Sequence, residues 1–227
     1  MPGRPDESRS SLTELLGGRT GFMDAAGPAV AFVAGWSLAG HGRPGQASLS
    51  AIWWGAGAAV VFGIGIGMFR FSRGKRPAAV VLGLLGVVVA ATIALGTGRA
   101  ADFFLLQIAS NAASALTWTL SILLRWPLLG VVVGLMLGQR ARWRADPDLS
   151  RGYRRASWLW VGQYLLRLAV FIPLYRADQV FALGIARALT WVPLVLCVSL
   201  SWPVVRTALP AGHRGIRHPR RVDGSDA

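Results

Sequence analysis

The chain reads as an all-α membrane protein, a polytopic transmembrane helical bundle of about six spans plus a short buried or re-entrant segment. Three observations predict this. Of 227 residues, 53% are hydrophobic and only 15% charged, yet the formal net charge is +14; ordinary soluble domains carry about 25% charged residues. Between the basic segments lie apolar runs of roughly 20 residues, the length a helix needs to cross a hydrocarbon core about 30 Å thick. The basic residues also alternate along the chain, rich and poor in successive loops.

Taken in order, the apolar runs are Phe22–Leu38, Leu49–Phe69, Pro77–Leu95, Phe103–Leu124, Trp158–Tyr175 and Val180–Val205. They divide the chain into a cytoplasmic N-terminal arm at 1–21, a transmembrane helical domain at 22–205 and a basic, disordered cytoplasmic tail at 206–227. The polar arm and the lack of a small-residue cleavage motif argue against a removable signal peptide. In the second run, Gly63, Gly65 and Gly67 alternate on different faces and suggest local flexibility. One run is left over. Leu128–Gly138 rises only about 16 Å and cannot span alone. Its Gly130, Gly134 and Gly138 recur every four residues, a small-residue stripe that permits close helix approach. Having no polar face, it is unsuited to lying in the interface. It therefore packs against protein, either re-entrant or continuing span four.

The loops set the orientation. Arg4, Arg9 and Arg19 lie in the arm, and Arg70, Arg73, Lys75 and Arg76 in the second loop. The fourth loop has Arg140, Arg142, Arg144, Arg151, Arg154 and Arg155, and the tail has Arg206, Arg214, Arg217, Arg220 and Arg221. The intervening loops hold one cation each: Arg43, Arg99 and Arg176. Cytoplasmic loops are enriched in Lys and Arg, so both termini are expected in the cytoplasm of a cell whose inner membrane holds the protein. The tail HRGIRHPRR would also attract phosphates, but it is short and motif-free. The expected partners are the lipid bilayer, with anionic headgroups at the basic loops, and no nucleic acid.

The stretch SILLRWPLLG at 121–130 places a charge inside an apolar run. If span four starts at Phe103, 22 residues carry it about 33 Å, to the cytoplasmic interface, by Arg125. There Arg125 snorkels to headgroups, Trp126 joins the interfacial belt and Pro127 ends the helix. Asp24, at the cytoplasmic end of span one, is its expected partner. In the rival register the span starts near Asn111 and kinks at Pro127, leaving Arg125 buried near Arg167.

Polar side chains within spans are costly and become functional candidates. Gln107, Asn111, Ser114, Trp118, Ser121 and Arg125 recur at spacings of three and four, which keeps them on one face of span four. Ser110 and Thr117 widen this seam. It serves either as the lining of a substrate path or as hydrogen-bonding glue between helices. Arg167 lies about 15 Å inward from Ser157, near the midplane, with Gln163 one turn earlier. Arg187 lies roughly 10 Å below the outer surface. The only acids close to membrane depth are Asp24, Asp102 and Asp178. Asp102 and Asp178 each open an inward-running helix, where a carboxylate caps free amides; the alternatives are a proton-relay role or an ion pair with Arg187. These residues, Arg167, Arg125, Arg187, Asn111, Asp24, Asp102 and Asp178, form the candidate polar cluster.

Little else carries chemistry. Cys197 is the only cysteine, so no internal disulfide or thiolate metal cluster is available. His41, His213 and His218 fall in loops or the tail, and no metalloprotease, phosphate-loop or nucleophile-elbow motif is present. Asp146 and Asp148 in WRADPD read as a turn with charge balance from nearby arginines. No catalytic, cofactor-binding or metal-binding residues are assigned, and the chain is expected not to be an enzyme.

The segments GRAADFF at 98–104, Asn111, SILLRWPLLGVVVG at 121–134, WRADPDLSRGYRRASWLWVG at 143–162 and Arg167 resemble an actinobacterial family of integral membrane proteins, domain of unknown function 3159. The resemblance runs from about Leu15 to Val205 and implies fold and membrane location rather than an activity. More distantly, the chain is similar to the bacterial intracellular septation protein A family, which implies a link to cell-envelope synthesis and division. Ala109, Ser110 and Asn111 stand where that family carries a lysine-proline-threonine core.

Two functions fit. One is a non-enzymatic cell-envelope protein acting through membrane-protein partners or as a homo-oligomer. The other is a small transporter or channel for an anionic solute or lipid headgroup, using Arg167 with Arg125 and Arg187.

Overall fold

The computed structural model describes residues 18–39, 49–74, 77–139, 141–210 and 215–216, with the backbone alone at 18–25 and 77–80. Among the described residues every regular element is a helix. In order they are α1 (Gly18–Leu38), α2 (Leu49–Ser72), α3 (Pro77–Thr97), a 3-10 turn (Ala100–Phe104), α4 (Leu105–Leu123), α5 (Leu128–Met136), a second 3-10 turn (Arg142–Ala145), α6 (Pro147–Arg176), α7 (Val180–Ala188) and α8 (Trp191–Thr207). The arm at 1–17 and most of the tail lie outside the described residues, as do His41, His213, His218, Arg43 and Arg140.

Among the described residues four stretches are long and apolar enough to cross a membrane: Leu49–Ser72, Ala100–Leu123, Pro147–Arg176 and Val180–Thr207. The parts of α1 and α3 whose side chains are described add the shorter apolar stretches Ala26–Leu38 and Val81–Thr97. The structure thus supports a multi-span helical membrane protein with four such stretches among the described residues, which do not establish the expected count of six.

Where each helix stops follows from local chemistry. Asp146 Oδ1 accepts the amides of Asp148 (3.1 Å) and Leu149 (3.2 Å), and Pro147 takes the first helical position. This is an N-cap with proline after it, so α6 begins eleven residues before the apolar run at Trp158. WRADPD is therefore a helix start, and Asp146 is almost fully buried. At the far end of α4, Trp126 N donates to Ser121 O (2.9 Å) and Arg125 N to Ile122 O (3.1 Å), while Arg125 has φ +57°. That pair of bonds is a Schellman ending, with an arginine in the left-handed position glycine usually fills. The helix ends before Pro127, as the first register requires, and α5 is a separate helix rather than a continuation of α4. Gly138 (φ +64°) closes α5 and Asp178 (φ +52°) closes α6 with the same bonding.

The run Val180–Val205 is broken. The α-helix stops at Ala188 and resumes at Trp191. Pro193 explains this, because it lacks the amide that would bond to Leu189 O and its ring crowds that carbonyl. By contrast α2 runs unbroken through GIGIG.

Contacts divide the chain into two compact units. One holds residues up to Gln107 plus Phe171–Leu189; the other holds Ile108–Val170 and the residues from Thr190 onward. In the first unit α1 and α2 meet at glycine. A Cβ on Gly35 would come 2.7 Å from Trp54 O, and one on Gly55 would come 2.9 Å from Phe32 O, so only a bare backbone allows this approach. Phe32 stacks on Phe103 (4.0 Å between centroids) and meets Phe104 edge-on. Gly184 of α7 rests against Val33.

In the second unit Trp143, Tyr153, Leu149, Leu129, Ala156 and Val205 form a buried core around the start of α6. Gly130 lies under the Trp143 indole, with a Cβ there 2.9 Å from the ring. Gly138 has a different reason, its positive φ, with open space around it. The glycine stripe is thus two devices rather than one packing face. The short α5 buries Leu129, Gly130 and Gly134 and exposes Val132, Leu135 and Met136.

Candidate functional site

Within the second unit, α6 and α8 run antiparallel and are joined by a row of polar contacts. Trp160 Nε1 donates to Ser201 Oγ (3.1 Å), Ser201 Oγ donates to Cys197 O (2.6 Å), and the Cys197 thiol donates to Leu159 O (3.3 Å). Gly152 meets the Val205 carbonyl further along. Trp118 of α4 stacks flat on Trp160 (4.9 Å, 8°). Such bonds satisfy polar groups that hydrocarbon cannot, and each is typically worth below about 1 kcal/mol.

Arg167 ends this row. Its Nη2 donates to Thr190 O (2.7 Å) and to Gln163 Oε1 (3.2 Å), and the guanidinium lies 5.5 Å from the Tyr164 ring centroid. Thr190 sits at the break between α7 and α8, so Arg167 binds the backbone beside the interruption. Irregular backbone at membrane depth persists only where neighbours satisfy it. Among the described residues no carboxylate pairs with Arg167. Its Nε and the Gln163 Nε2 are buried without partners.

The first unit holds a second polar cluster. Tyr175 OH donates to Asp102 Oδ1 (2.7 Å), and Arg99 lies 3.8 Å from Asp102 and from Asp178. Arg99 also lies over the Tyr175 ring at 5.3 Å. Neither acid caps a helix by its side chain. Arg99 and Gln179 hold the cap positions without a side-chain bond, and Asp178 is the left-handed residue that ends α6. The tertiary partners Tyr175 and Arg99 take the carboxylates instead. Arg187 Nη1 donates to Gln107 Oε1 rather than joining either acid.

Asp102, Asp178 and Arg187 belong to the first unit, and Arg167, Asn111 and Arg125 to the second. Asn111 is buried at 2% exposure, and Arg125 is exposed at the end of α4. The side chain of Asp24 lies outside the described residues. Of the seam on span four, Ser121 turns inward to Trp118 O (2.7 Å) and accepts from Leu128 N (3.3 Å), and Thr117 bonds its own helix at Ala113 O. Sequence reasoning passed over Tyr175, Arg99 and Thr190; Pro193 was the signal for the last.

Apolar helices stitched by buried polar contacts and bounded by basic turns define a multi-span helical membrane protein. The chain belongs to the family described as Protein of unknown function (DUF3159), whose model matches residues 16–212. No curated protein and no solved structure matches the chain.

Proposed function

We propose that this protein works in the cytoplasmic membrane without catalysing a reaction, by binding other membrane proteins, with both termini in the cytoplasm. One observation carries the reading: Arg167 is a half-buried cation far inside a span with no counter-charge among the described residues. A charge in that position is stable only when paired, and a partner protein supplies what the described residues lack. A cell-envelope setting is part of the proposal and draws on the distant septation-family similarity, although Ala109, Ser110 and Asn111 replace that family's core.

The experiment is photocrosslinking in native membranes from Val170, which is 44% exposed and one turn from Arg167. A reproducible crosslinked membrane protein or second copy is expected. Recovery of monomer alone overturns the reading.

A second reading, passage of an anionic solute or lipid headgroup, draws support from the unpartnered Arg167 Nε and Gln163 Nε2. Reconstituted vesicles should then show anion flux that Arg167→Ala abolishes; flux unchanged by that substitution rejects the site.

A further inference from the structure

We infer that Arg167 is one half of an intramembrane ion pair whose other half is a carboxylate on a transmembrane helix of a different protein. The inference rests on the partner-binding reading and gives that partner its chemistry.

Depth comes first. Because α6 is continuous from Pro147 to Arg176, distances along it follow from the helical rise. Arg155 and Arg176 are about 32 Å apart on the axis, close to one hydrocarbon thickness. Arg167 falls about 18 Å from the first and about 14 Å from the second. It is therefore near mid-depth in a helix whose two boundary arginines mark the interfaces.

Compensation comes next. The bonds Arg167 makes go to a backbone carbonyl and an amide oxygen. Both are dipoles and leave the full charge in place. Its Nε points to no acceptor, and neither does the Nε2 of Gln163, whose side chain is only 4% exposed. Both of these atoms are closed off from outside contact, but Nη1 is accessible and makes no hydrogen bond, so the open face of the cation calls for an anionic acceptor. A carboxylate meets that description and forms the strongest such bond with a guanidinium.

The source follows from elimination within the chain. Of its ten acids, Asp6, Glu7, Glu14, Asp223 and Asp226 lie in the arm and tail, and Asp146 and Asp148 open α6. Asp102 and Asp178 sit at helix ends and are held by Tyr175 and Arg99. Asp24 comes only two residues into the first apolar run. Among its described residues a second copy thus offers no mid-depth carboxylate, and by sequence the remaining acids stand outside the middle of the apolar runs. Headgroup phosphates lie about two and a half helical turns away along the axis. A free anion would have to reach mid-depth stripped of water, against the cost of burying an isolated charge. A carboxylate carried on another apolar helix arrives at that depth with its position already set by the helix.

The test uses the full-length protein in neutral phosphatidylcholine vesicles at about pH 8, where a carboxylate beside a cation is ionised. The probe is a synthetic leucine–alanine helix of about 20 residues with one central glutamate, compared with its glutamine counterpart by energy transfer. The glutamate helix should associate about tenfold more strongly. The preference should persist in Arg167→Lys and in Arg125→Gln and vanish in Arg167→Gln. Equal association of the two helices with the unaltered protein overturns the inference, as does a preference that survives Arg167→Gln. The first comparison needs no variant, so poor folding of Arg167→Gln does not blunt it. Equal association together with a crosslinked partner from Val170 rejects the ion pair and leaves the partner-binding reading standing.

Discussion

Arg167 Nη2 donates to the Thr190 carbonyl at 2.7 Å, beside the helix break that Pro193 creates three residues later. The side chain and the proline act at neighbouring carbonyls: the proline removes the backbone donor that would serve Leu189 O, and the guanidinium from α6 bonds the next carbonyl, Thr190 O. Replacing Arg167 by Ala should lower stability by about 1–3 kcal/mol, the cost of a charged hydrogen bond lost in a buried place. In Pro193→Ala the ladder of α7 and α8 can close, and the same Arg167→Ala change should cost at least about 0.5 kcal/mol less. Unfolding in mixed micelles, run as a double-mutant cycle, measures the coupling. Additive losses would show that the two residues act separately.

The seam between α6 and α8 predicts a second coupling. Ser201→Ala strips the acceptor from the Trp160 indole N–H and should cost about 0.6 kcal/mol, the usual size of such a contact in a membrane. Trp160→Phe removes the donor, so Ser201→Ala should then cost much less. The same unfolding assay reads both, and an undiminished loss in the Trp160→Phe background would show that this bond does not hold the seam.

Asp146 is the N-cap of α6. Asp146→Ala should destabilise by about 1 kcal/mol and Asp146→Asn by much less, because asparagine keeps the accepting oxygen. Hydrogen exchange at Asp148 and Leu149 is the direct measurement. Protection unchanged in the alanine variant would contradict the cap.

Two glycine exchanges should go in opposite directions. Arg125→Gly relieves the left-handed backbone at φ +57° and should stabilise by about 1 kcal/mol in detergent. Gly130→Ala pushes a methyl to 2.9 Å from the Trp143 ring and should cost about 1–3 kcal/mol, with altered tryptophan fluorescence. Thermal scans of the two variants compare them directly.

Much of the architecture was legible in the one-dimensional pattern. Apolar runs placed the helices except at the start of α6, eleven residues earlier than its run, and at the break between α7 and α8; the arginine–tryptophan–proline sequence marked the end of α4. Polar positions were legible as positions but not as partners. Asp102 and Asp178 have the residue type and placement of caps, yet Tyr175 and Arg99 claim them. Arg187 could pair with Asp102 or Asp178 by sequence, and it bonds Gln107. Partner choice depends on residues brought together from distant segments, and hydrophobic periodicity carries no record of that.

The sequence by itself determined the class of protein, because burying apolar runs of this length is favourable only in a bilayer and because charge is too scarce to cover a soluble surface. It also determined where helices start and stop wherever the signal is local, at Pro127 and in the residues after Asp146. Only the tertiary structure decided what the polar residues do. It engaged the carboxylates of Asp102 and Asp178 in contacts within the first unit, and left the Arg167 charge without a counter-ion among the described residues. The physical reason is range. Caps and breaks are settled by neighbours within a helical turn, whereas the energy of a charge in a span depends on every group that folding brings near it.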